Sequence, residues 1–221
     1  MGSANALEQP KVVCLTNGAF AENCYIVADP ETRDAVIVDP GEAAALFLQR
    51  IQTERLTVGA IWLTHAHLDH VMGVGQVAEA TGAPVYLHPA DRSLYDRVAD
   101  QGAAFGVRAA APPAPDHSLA DGDRLMCGRF DFEVRHVPGH SPGHVAFVRP
   151  GLALVGDVVF AGSVGRTDLP GGDGRTLLES IRTQLLTLPD DTVLYPGHGP
   201  ATTVRQERVS NPFITGVVRL V

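Results

Sequence analysis

Four candidate metal ligands lie within six residues, directly after an apolar segment that is predicted to form a short buried strand. The predicted strand covers residues 60–63, and residues 65–70 then follow the pattern His-X-His-X-Asp-His. The four ligands are His65, His67, Asp69 and His70. A strand end is rigid, and a turn into a helix lets neighbouring side chains point at one place, so this spacing favours a metal site. Imidazole and carboxylate ligands without a nearby cysteine suit zinc, iron or manganese and disfavour a structural thiolate site.

Three further turns each place a candidate ligand after a predicted strand and beside or near a glycine. The ligands are His140, Asp157 and His198, and His144 follows the first of them by four residues. Taken singly, such residues are typical of ordinary turns, and His144 is predicted to have a structural role. Loops at one edge of a layered fold converge, so the four segments together predict a site with seven ligands.

Seven ligands exceed the four of a tetrahedral zinc site and suit two metal ions that share a carboxylate. Such a pair holds a bridging water and lowers its pKa toward ~7. The resulting hydroxide can attack an electrophilic carbonyl while the metals stabilise the oxyanion. This chemistry needs no serine or cysteine nucleophile, and the apolar surroundings of Cys14, Cys24 and Cys127 are typical of small buried side chains.

Apolar segments and helical patterns alternate along both halves of the chain. Strands are predicted over 12–16, 25–28, 35–38, 60–63, 85–87, 132–137, 145–148, 152–155 and 192–195, and helices over 42–54, 70–81, 89–98, 176–188 and 203–210. This order predicts one layered α/β domain with two sheets inside and helices outside. A single sheet with helices on both faces is the alternative that periodicity does not exclude. Residues 101–117, rich in alanine and proline, are predicted to form a loop and an apolar wall of the site.

Composition narrows the class of protein. The chain has 221 residues and a formal net charge of −8, which argues against a nucleic-acid partner and leaves a small-molecule substrate as the expectation. No apolar run approaches the ~20 residues that span a bilayer, so no membrane partner is expected. Three scattered cysteines and the absence of a visible secretory signal favour the cytoplasm. Residues 1–10 are predicted to be a disordered tail or a cloning remnant, and residues 11–221 one domain; the oligomeric state is left open.

The order of these ligands along the chain resembles that of the metallo-β-lactamase superfamily. The resemblance extends from Gly18 to Phe213 and implies a four-layer αββα sandwich with a dinuclear site at one edge of the two sheets. It implies one metal bound by His65, His67 and His140, a second bound by Asp69, His70 and His198, and Asp157 as the bridge. It further implies that Asp69 and Asp157 act in catalysis with a metal-bound hydroxide. Asp39, at the end of strand 35–38, would hold the ligand loop in place, a support that metal ligands commonly have.

Within that superfamily the chain looks like the glyoxalase II-like hydrolases. Asp157 at the bridging position separates it from true metallo-β-lactamases, which lack that carboxylate, and residues 156–168, 195–200 and 211–213 resemble the short single-domain members. The resemblance implies hydrolysis of thioesters, S-lactoylglutathione or a related one, with two divalent ions and zinc favoured over iron or manganese. Full-length glyoxalase II enzymes carry a further C-terminal helical domain that this chain is expected to lack, which weakens the case for glutathione.

Arg166 lies where glyoxalase II enzymes have a basic residue near the thioester. A guanidinium there anchors a substrate carboxylate by a bidentate pair, or it pairs with Asp168 to fix its own loop; the sequence leaves both open.

Two alternative activities use similar residues. Mononuclear iron persulfide dioxygenases share the fold and a segment like Gly165–Asp168, and they bind iron through positions that match His65, His140 and Asp157. Gly199-Pro200 and the late Asn211-Pro212-Phe213 favour the hydrolase instead. Lactones and other esters are open to the same metal-bound hydroxide, so a lactonase or another ester hydrolase of the same fold is the second alternative.

Overall fold

Two six-stranded sheets face each other in the computed structural model, which describes residues 8–220, and helices cover the outer face of each sheet. The predicted layered α/β domain with two internal sheets is therefore confirmed, and the single-sheet alternative is wrong. Of the first ten residues, 1–7 lie outside the described residues. Glu8 pairs with Arg129, and the Gln9 amide donates to the carbonyl of Pro150 at 3.1 Å, so these two residues contact the domain.

The first sheet has the strand order β1-β2-β3-β4-β5-β6. Its strands are β1 Lys11–Asn17, β2 Glu22–Ala28, β3 Asp34–Val38, β4 Thr57–Trp62, β5 Val85–Leu87 and β6 His117–Ser118. The helices of this half are α1 Ala44–Glu54, α2 Leu68–Val71, α3 Val74–Thr81, a 3₁₀ turn Pro89–Asp91, α4 Arg92–Tyr95 and α5 Val98–Ala104. The strands β1 to β3 pair antiparallel, and β3 to β6 pair parallel. Helical connections such as α1 join parallel neighbours, as such crossovers require.

The second sheet has the order β14-β13-β10-β9-β8-β7, and only its β10–β13 pair is parallel among the described strands. Its strands are β7 Arg124–Cys127, β8 Phe130–His136, β9 Val145–Arg149, β10 Leu152–Gly156, β13 Val193–Pro196 and β14 Thr202–Thr203. A small hairpin, β11 Val159–Phe160 and β12 Ser163–Val164, precedes α6 Gly174–Ser180, which continues as a π-helical turn Ile181–Leu185; α7 is Val204–Ser210. The short strands β7 and β14 were not predicted from the sequence.

Burial on both faces of the central strands explains their continuous apolar sequences. Strand β2 is buried along its whole length: Cys24 and Ile26 face the helices, and Tyr25 and Val27 face the second sheet. Alternate side chains of a strand point to opposite faces, so a strand between two layers is apolar at every position. Trp62 fills the layer between the sheets and packs against Phe132 and Phe147, with ring centroids 5.4 and 5.1 Å away.

The predicted helix over 70–81 is two helices, α2 and α3, with a break at Met72-Gly73. Gly73 donates its backbone N–H to the carbonyl of Pro40 at 2.9 Å, and a Cβ at this position would overlap the carbonyl oxygen of Gly41. The close approach of the Pro40-Gly41 turn therefore ends the first helix after a single turn. This short helix carries Asp69 and His70 at its start.

Residues 101–117 are only partly the predicted loop, because α5 extends to Ala104 and β6 begins at His117. The predicted helix over 89–98 is likewise divided into the 3₁₀ turn and α4. Among the described helices, none is both long and apolar enough to cross a membrane.

Candidate metal centre

Four loops bring the predicted ligands to one edge of the two sheets. Residues 64–70 follow β4, and His140, Asp157 and His198 follow β8, β10 and β13. Each ligand therefore starts from the end of a buried strand, so its position is set by the core rather than by a mobile loop. The structure brings all seven of the predicted ligands together.

One group consists of His65, His67 and His140. One ring nitrogen from each lies within 4.8 Å of the others, and all three side chains are buried. The Nδ1 of His67 and the Nε2 of His140 lie 2.8 Å apart. Three convergent imidazoles match the ligand set of a metal site that leaves a coordination position open.

A second group consists of Asp69, His70 and His198, again with ligand atoms within 4.8 Å of one another. The Nε2 of His198 lies 3.2 Å from Oδ2 of Asp69, and the Nε2 of His70 lies 3.8 Å from the same oxygen. The side chains of Asp69 and His198 are 18% and 28% exposed, so this group borders the solvent-accessible side of the centre.

The Asp157 carboxylate lies between the two groups. Its Oδ2 is 3.5 Å from Nε2 of His140, which belongs to the first group, and 3.5 Å from Nε2 of His198, which belongs to the second. Its Oδ1 is 3.4 Å from Nε2 of His70. One carboxylate thus reaches ligand atoms of both groups.

Several buried polar atoms in this centre have no hydrogen-bond partner within the described residues. They are His65 Nε2, His67 Nε2, His70 Nε2 and Asp157 Oδ1. Buried polar atoms are almost always bonded, so a cluster of unpartnered nitrogen and oxygen lone pairs calls for a cation among them. The donor set of imidazoles and carboxylates fits divalent metal ions.

The pKa values of histidines in the two groups are shifted in opposite directions. Burial lowers the pKa of His67 to about 3, aided by the neighbouring His140, and burial also holds the pKa of His65 well below its usual range. Burial alone would lower the pKa of His198, but the hydrogen bonds that its ring donates to the carboxylates of Asp157 and Asp69 outweigh burial and raise that pKa to about 10. The neutral imidazoles of His65 and His67 are ready to bind a metal, whereas in the second group the carboxylates attract positive charge.

Asp39 anchors the ligand segment from behind. Its carboxylate accepts hydrogen bonds from the backbone N–H of Thr64 at 2.7 Å and from the Thr64 hydroxyl at 2.5 Å. It also accepts from Nδ1 of His70 at 3.1 Å, which leaves Nε2 of that ring free for a metal. Asp39 has a φ of +51°, a left-handed conformation that an aspartate tolerates better than most residues. The structure thus places Asp39 behind the ligands, in contact with His70 itself.

Asp91 is a residue that sequence reasoning missed. It is fully buried, and its carboxylate accepts from the backbone N–H of Ala66 at 3.0 Å, the hydroxyl of Ser141 at 2.7 Å and the N–H of Gly143 at 2.5 Å. It therefore ties the segment of His67 to the segment of His140. In the sequence, an aspartate after His-Pro-Ala is typical of a helix start. Its hydrogen-bond partners are distant along the chain, so no local sequence pattern indicates them.

The loop of His198 is held by strand β2. The Asn23 amide donates to the carbonyls of Pro196 and Gly199 at 3.0 and 2.8 Å, and the Tyr25 hydroxyl donates to Pro196 at 2.6 Å. These contacts leave no local pattern in the sequence, because more than 170 residues separate the partners.

The structure places His144 beneath the metal ligands. Its Nε2 accepts the backbone N–H of Asp157 at 3.0 Å, and its ring stacks on His65 with centroids 4.6 Å apart. This arrangement orients both neighbours, in agreement with the structural role that was predicted.

Arg166 forms a bidentate pair with Asp168, at 2.7 and 2.8 Å, and its side chain is 54% exposed. It also lines the cavity above the metal centre. The backbone carbonyl of Arg166 accepts a hydrogen bond from Nδ1 of His140 at 2.7 Å. The backbone of Arg166 therefore orients His140 independently of the Arg166 side chain.

An open cavity of about 370 Å³ lies over the centre. Its apolar walls come from separate segments, and they are Phe20, Leu68, Phe105, Phe160, Val164 and Leu169. The prediction that residues 101–117 form this wall as an alanine- and proline-rich loop is wrong in detail, since of that segment only Gln101 and Phe105 line the cavity. Val107 and Ala109 pack instead on the core beneath the helices, and Pro113 accepts the hydroxyl of Tyr95.

Comparisons with known proteins agree with this fold. The family model for the metallo-beta-lactamase superfamily matches residues 17–198. The hydroxyacylglutathione hydrolase GloC of Haemophilus influenzae is 40% identical over 200 residues, covering 89% of this chain and 94% of the relative. The crystal structure of BLEG-1, a B3 metallo-beta-lactamase, has a TM-score of 0.88 at 39% identity and covers 93% of this chain and all of that one. A di-iron form of TTHA1623 has a TM-score of 0.85 at 46% identity, with 91% and 100% covered.

Proposed function

The chain belongs to the metallo-β-lactamase superfamily, and we propose that it is a dinuclear metal-dependent hydrolase of thioesters of the glyoxalase II-like kind. The observation that carries the proposal is the Asp157 carboxylate, which lies within 3.5 Å of ligand nitrogens from both groups. The name of the Haemophilus influenzae relative supports the thioester class, and the di-iron title of a 46% identical neighbour supports two metals.

In this proposal His65, His67 and His140 would hold one metal, Asp69, His70 and His198 would hold the other, and the Asp157 carboxylate would serve both. Bound divalent ions would supply a hydroxide at neutral pH and polarise the thioester carbonyl. Zinc is favoured, and iron and manganese suit the same ligands.

The chain's own residues orient this chemistry. The carbonyl of Arg166 and the carboxylate of Asp39 each accept a hydrogen bond from Nδ1 of a ligand imidazole, His140 and His70 respectively, and so direct Nε2 of each ring into the centre. Asp69 is the more exposed of the two carboxylates and lines the substrate cavity. It is therefore placed to orient the attacking hydroxide by accepting its hydrogen bond, and the thiolate can leave without a proton donor because free thiols have a pKa near ~8.5.

The walls of the substrate cavity are mostly apolar. The guanidinium of Arg166 is already paired with Asp168, so the cavity offers little free positive charge. We propose that Arg166 can exchange Asp168 for a substrate carboxylate, since both are bidentate partners of the same guanidinium.

The test is a substrate panel with the metal-loaded protein. We expect thioesters, including S-lactoylglutathione, to be hydrolysed with a higher kcat/KM than lactones or β-lactams. Asp157→Ala should lose nearly all thioester hydrolysis. Asp131→Ala, which removes an exposed aspartate of β8 that pairs with Arg124 of β7, should keep it. Oxygen consumption with a persulfide and no thioester hydrolysis would replace the proposal with the mononuclear iron dioxygenase.

A further inference from the structure

A second cavity of about 300 Å³ adjoins the cavity above the metal centre. We call it the side cavity, and four residues line both spaces: His67, Gln101, Phe105 and Leu169. Any group that enters the side cavity therefore lies next to a ligand of the first metal group. The site described above uses only the first of the two cavities.

Apolar side chains form most of the side cavity. Its walls include Leu94, Ala104, Phe105, Leu169 and Pro170. Two charged residues, Arg97 and Asp100, also line it, but they have opposite charges and are exposed to solvent. Their charges therefore favour neither an anion nor a cation.

Apart from the candidate metal ligand His67, the one polar residue among the described ones that lines both cavities is Gln101, and its amide is already satisfied. Gln101 accepts the backbone N–H of Leu68 at 3.1 Å and donates to the carbonyls of Ala66 and Leu94 at 3.0 and 2.9 Å. Its amide has no need of a polar partner from a ligand. Phe105 is a large aromatic side chain that is 49% exposed beside this space. Exposed apolar surface next to a concave site is typical of a ligand groove.

We propose that the side cavity binds an apolar chain of the substrate, aliphatic or aromatic, attached close to the bond that is cleaved. This inference rests on the proposed function and names its substrate class: thioesters that carry an extended apolar group. A volume of about 300 Å³ accommodates roughly ten water-sized units of ~30 Å³ each. The chain can belong to the acyl group or to the thiol, and two substrate series distinguish these sources.

The experiment compares kcat/KM across acetyl to octanoyl thioesters of N-acetylcysteamine, and across S-alkyl thioacetates of the same chain lengths. Wild type should gain about two- to fourfold in kcat/KM per added methylene in one of the series. Ala104→Trp fills the side cavity from an exposed position that does not line the metal cavity, so this variant should lose the gain yet turn over the shortest substrate normally. Ala103→Trp is the matched control, because Ala103 is exposed on the same helix and lines neither cavity.

A binding measurement separates failure of the inference from failure of the proposed function. Octanamide and acetamide, neutral probes that are not substrates, are titrated into each protein and followed by ligand-detected NMR. Preferential binding of octanamide by wild type and Ala103→Trp, and its loss in Ala104→Trp, would support the side cavity even if no thioester were hydrolysed. Equal weak binding of both amides, or a chain-length gain that Ala104→Trp retains, would overturn the inference.

Discussion

Replacing Asp91 by alanine removes a carboxylate that holds two ligand segments together. Its three donors, from Ala66, Ser141 and Gly143, lie in the interior and would be left without an acceptor. Each unsatisfied buried donor costs about 1–3 kcal/mol, which gives a gross loss of about 3–9 kcal/mol. Burial raises the pKa of Asp91, because the native carboxylate loses its hydration on folding. The alanine variant has no such desolvation cost, which offsets part of the loss. We therefore expect a net loss of about 2–5 kcal/mol in the free energy of unfolding.

The same change should weaken metal binding at the first group. His67 and His140 come from the two segments that Asp91 joins, and loss of such supporting contacts typically costs 10- to 100-fold in metal affinity. Urea unfolding of the metal-free protein measures the stability change, and zinc competition against a chromophoric chelator measures the affinity.

Asp96→Ala is the control, since Asp96 is exposed and forms a surface pair with Arg92. Its effect on the free energy of unfolding should stay within ~0.5 kcal/mol. A loss below ~1 kcal/mol in Asp91→Ala, with unchanged zinc affinity, would refute the argument that this carboxylate holds the centre together.

Three other predictions follow from individual contacts. Asp39→Ala should lower zinc affinity at the second group and kcat, because His70 and Thr64 lose their shared acceptor; metal titration and steady-state kinetics check this. Arg166→Ala should leave the urea midpoint unchanged, since its pair with Asp168 is exposed. It should raise KM more for thioesters that carry a carboxylate than for neutral thioesters. Gly165→Ala should abolish metal loading, measured by mass spectrometry, because its Cβ would overlap the carbonyl oxygen of Asp157.

The candidate ligands could be selected from the sequence because each of them lies in a short local pattern. His140, Asp157 and His198 each lie beside a glycine after an apolar segment, and together with the cluster at residues 65–70 they mark a candidate site without knowledge of the fold. Their convergence follows once the strands are assigned, since all of them end at one edge.

The contacts that position the ligands were harder to predict. Asp91 binds residues 25 to 52 positions away, and Asn23 binds a loop more than 170 residues away, so neither leaves a local pattern. The break between α2 and α3 depends on the close approach of the Pro40-Gly41 turn to Gly73. Periodicity reports which residues are apolar along an element, whereas these features depend on which element packs beside it.

The choice between one sheet and two could not be made from periodicity either. A strand that lies between two layers is apolar throughout, whether the second layer is a sheet or helices. In the structure, Tyr25 and Val27 of β2 face the aromatic side chains Phe132 and Phe147 of the opposite sheet. Contacts of this kind, including that of Trp62 with Phe132 and Phe147, distinguish the two architectures.

The central claim is that Asp157 joins two metal ions in one centre. Its most direct test is the metal content of protein purified without added metal or chelator, measured by mass spectrometry for wild type, Asp157→Ala and Asp131→Ala. We expect close to two divalent ions per chain in wild type and in Asp131→Ala, and a loss of most bound metal in a folded Asp157→Ala. One ion per chain in wild type, or full metal content in Asp157→Ala, would contradict this claim.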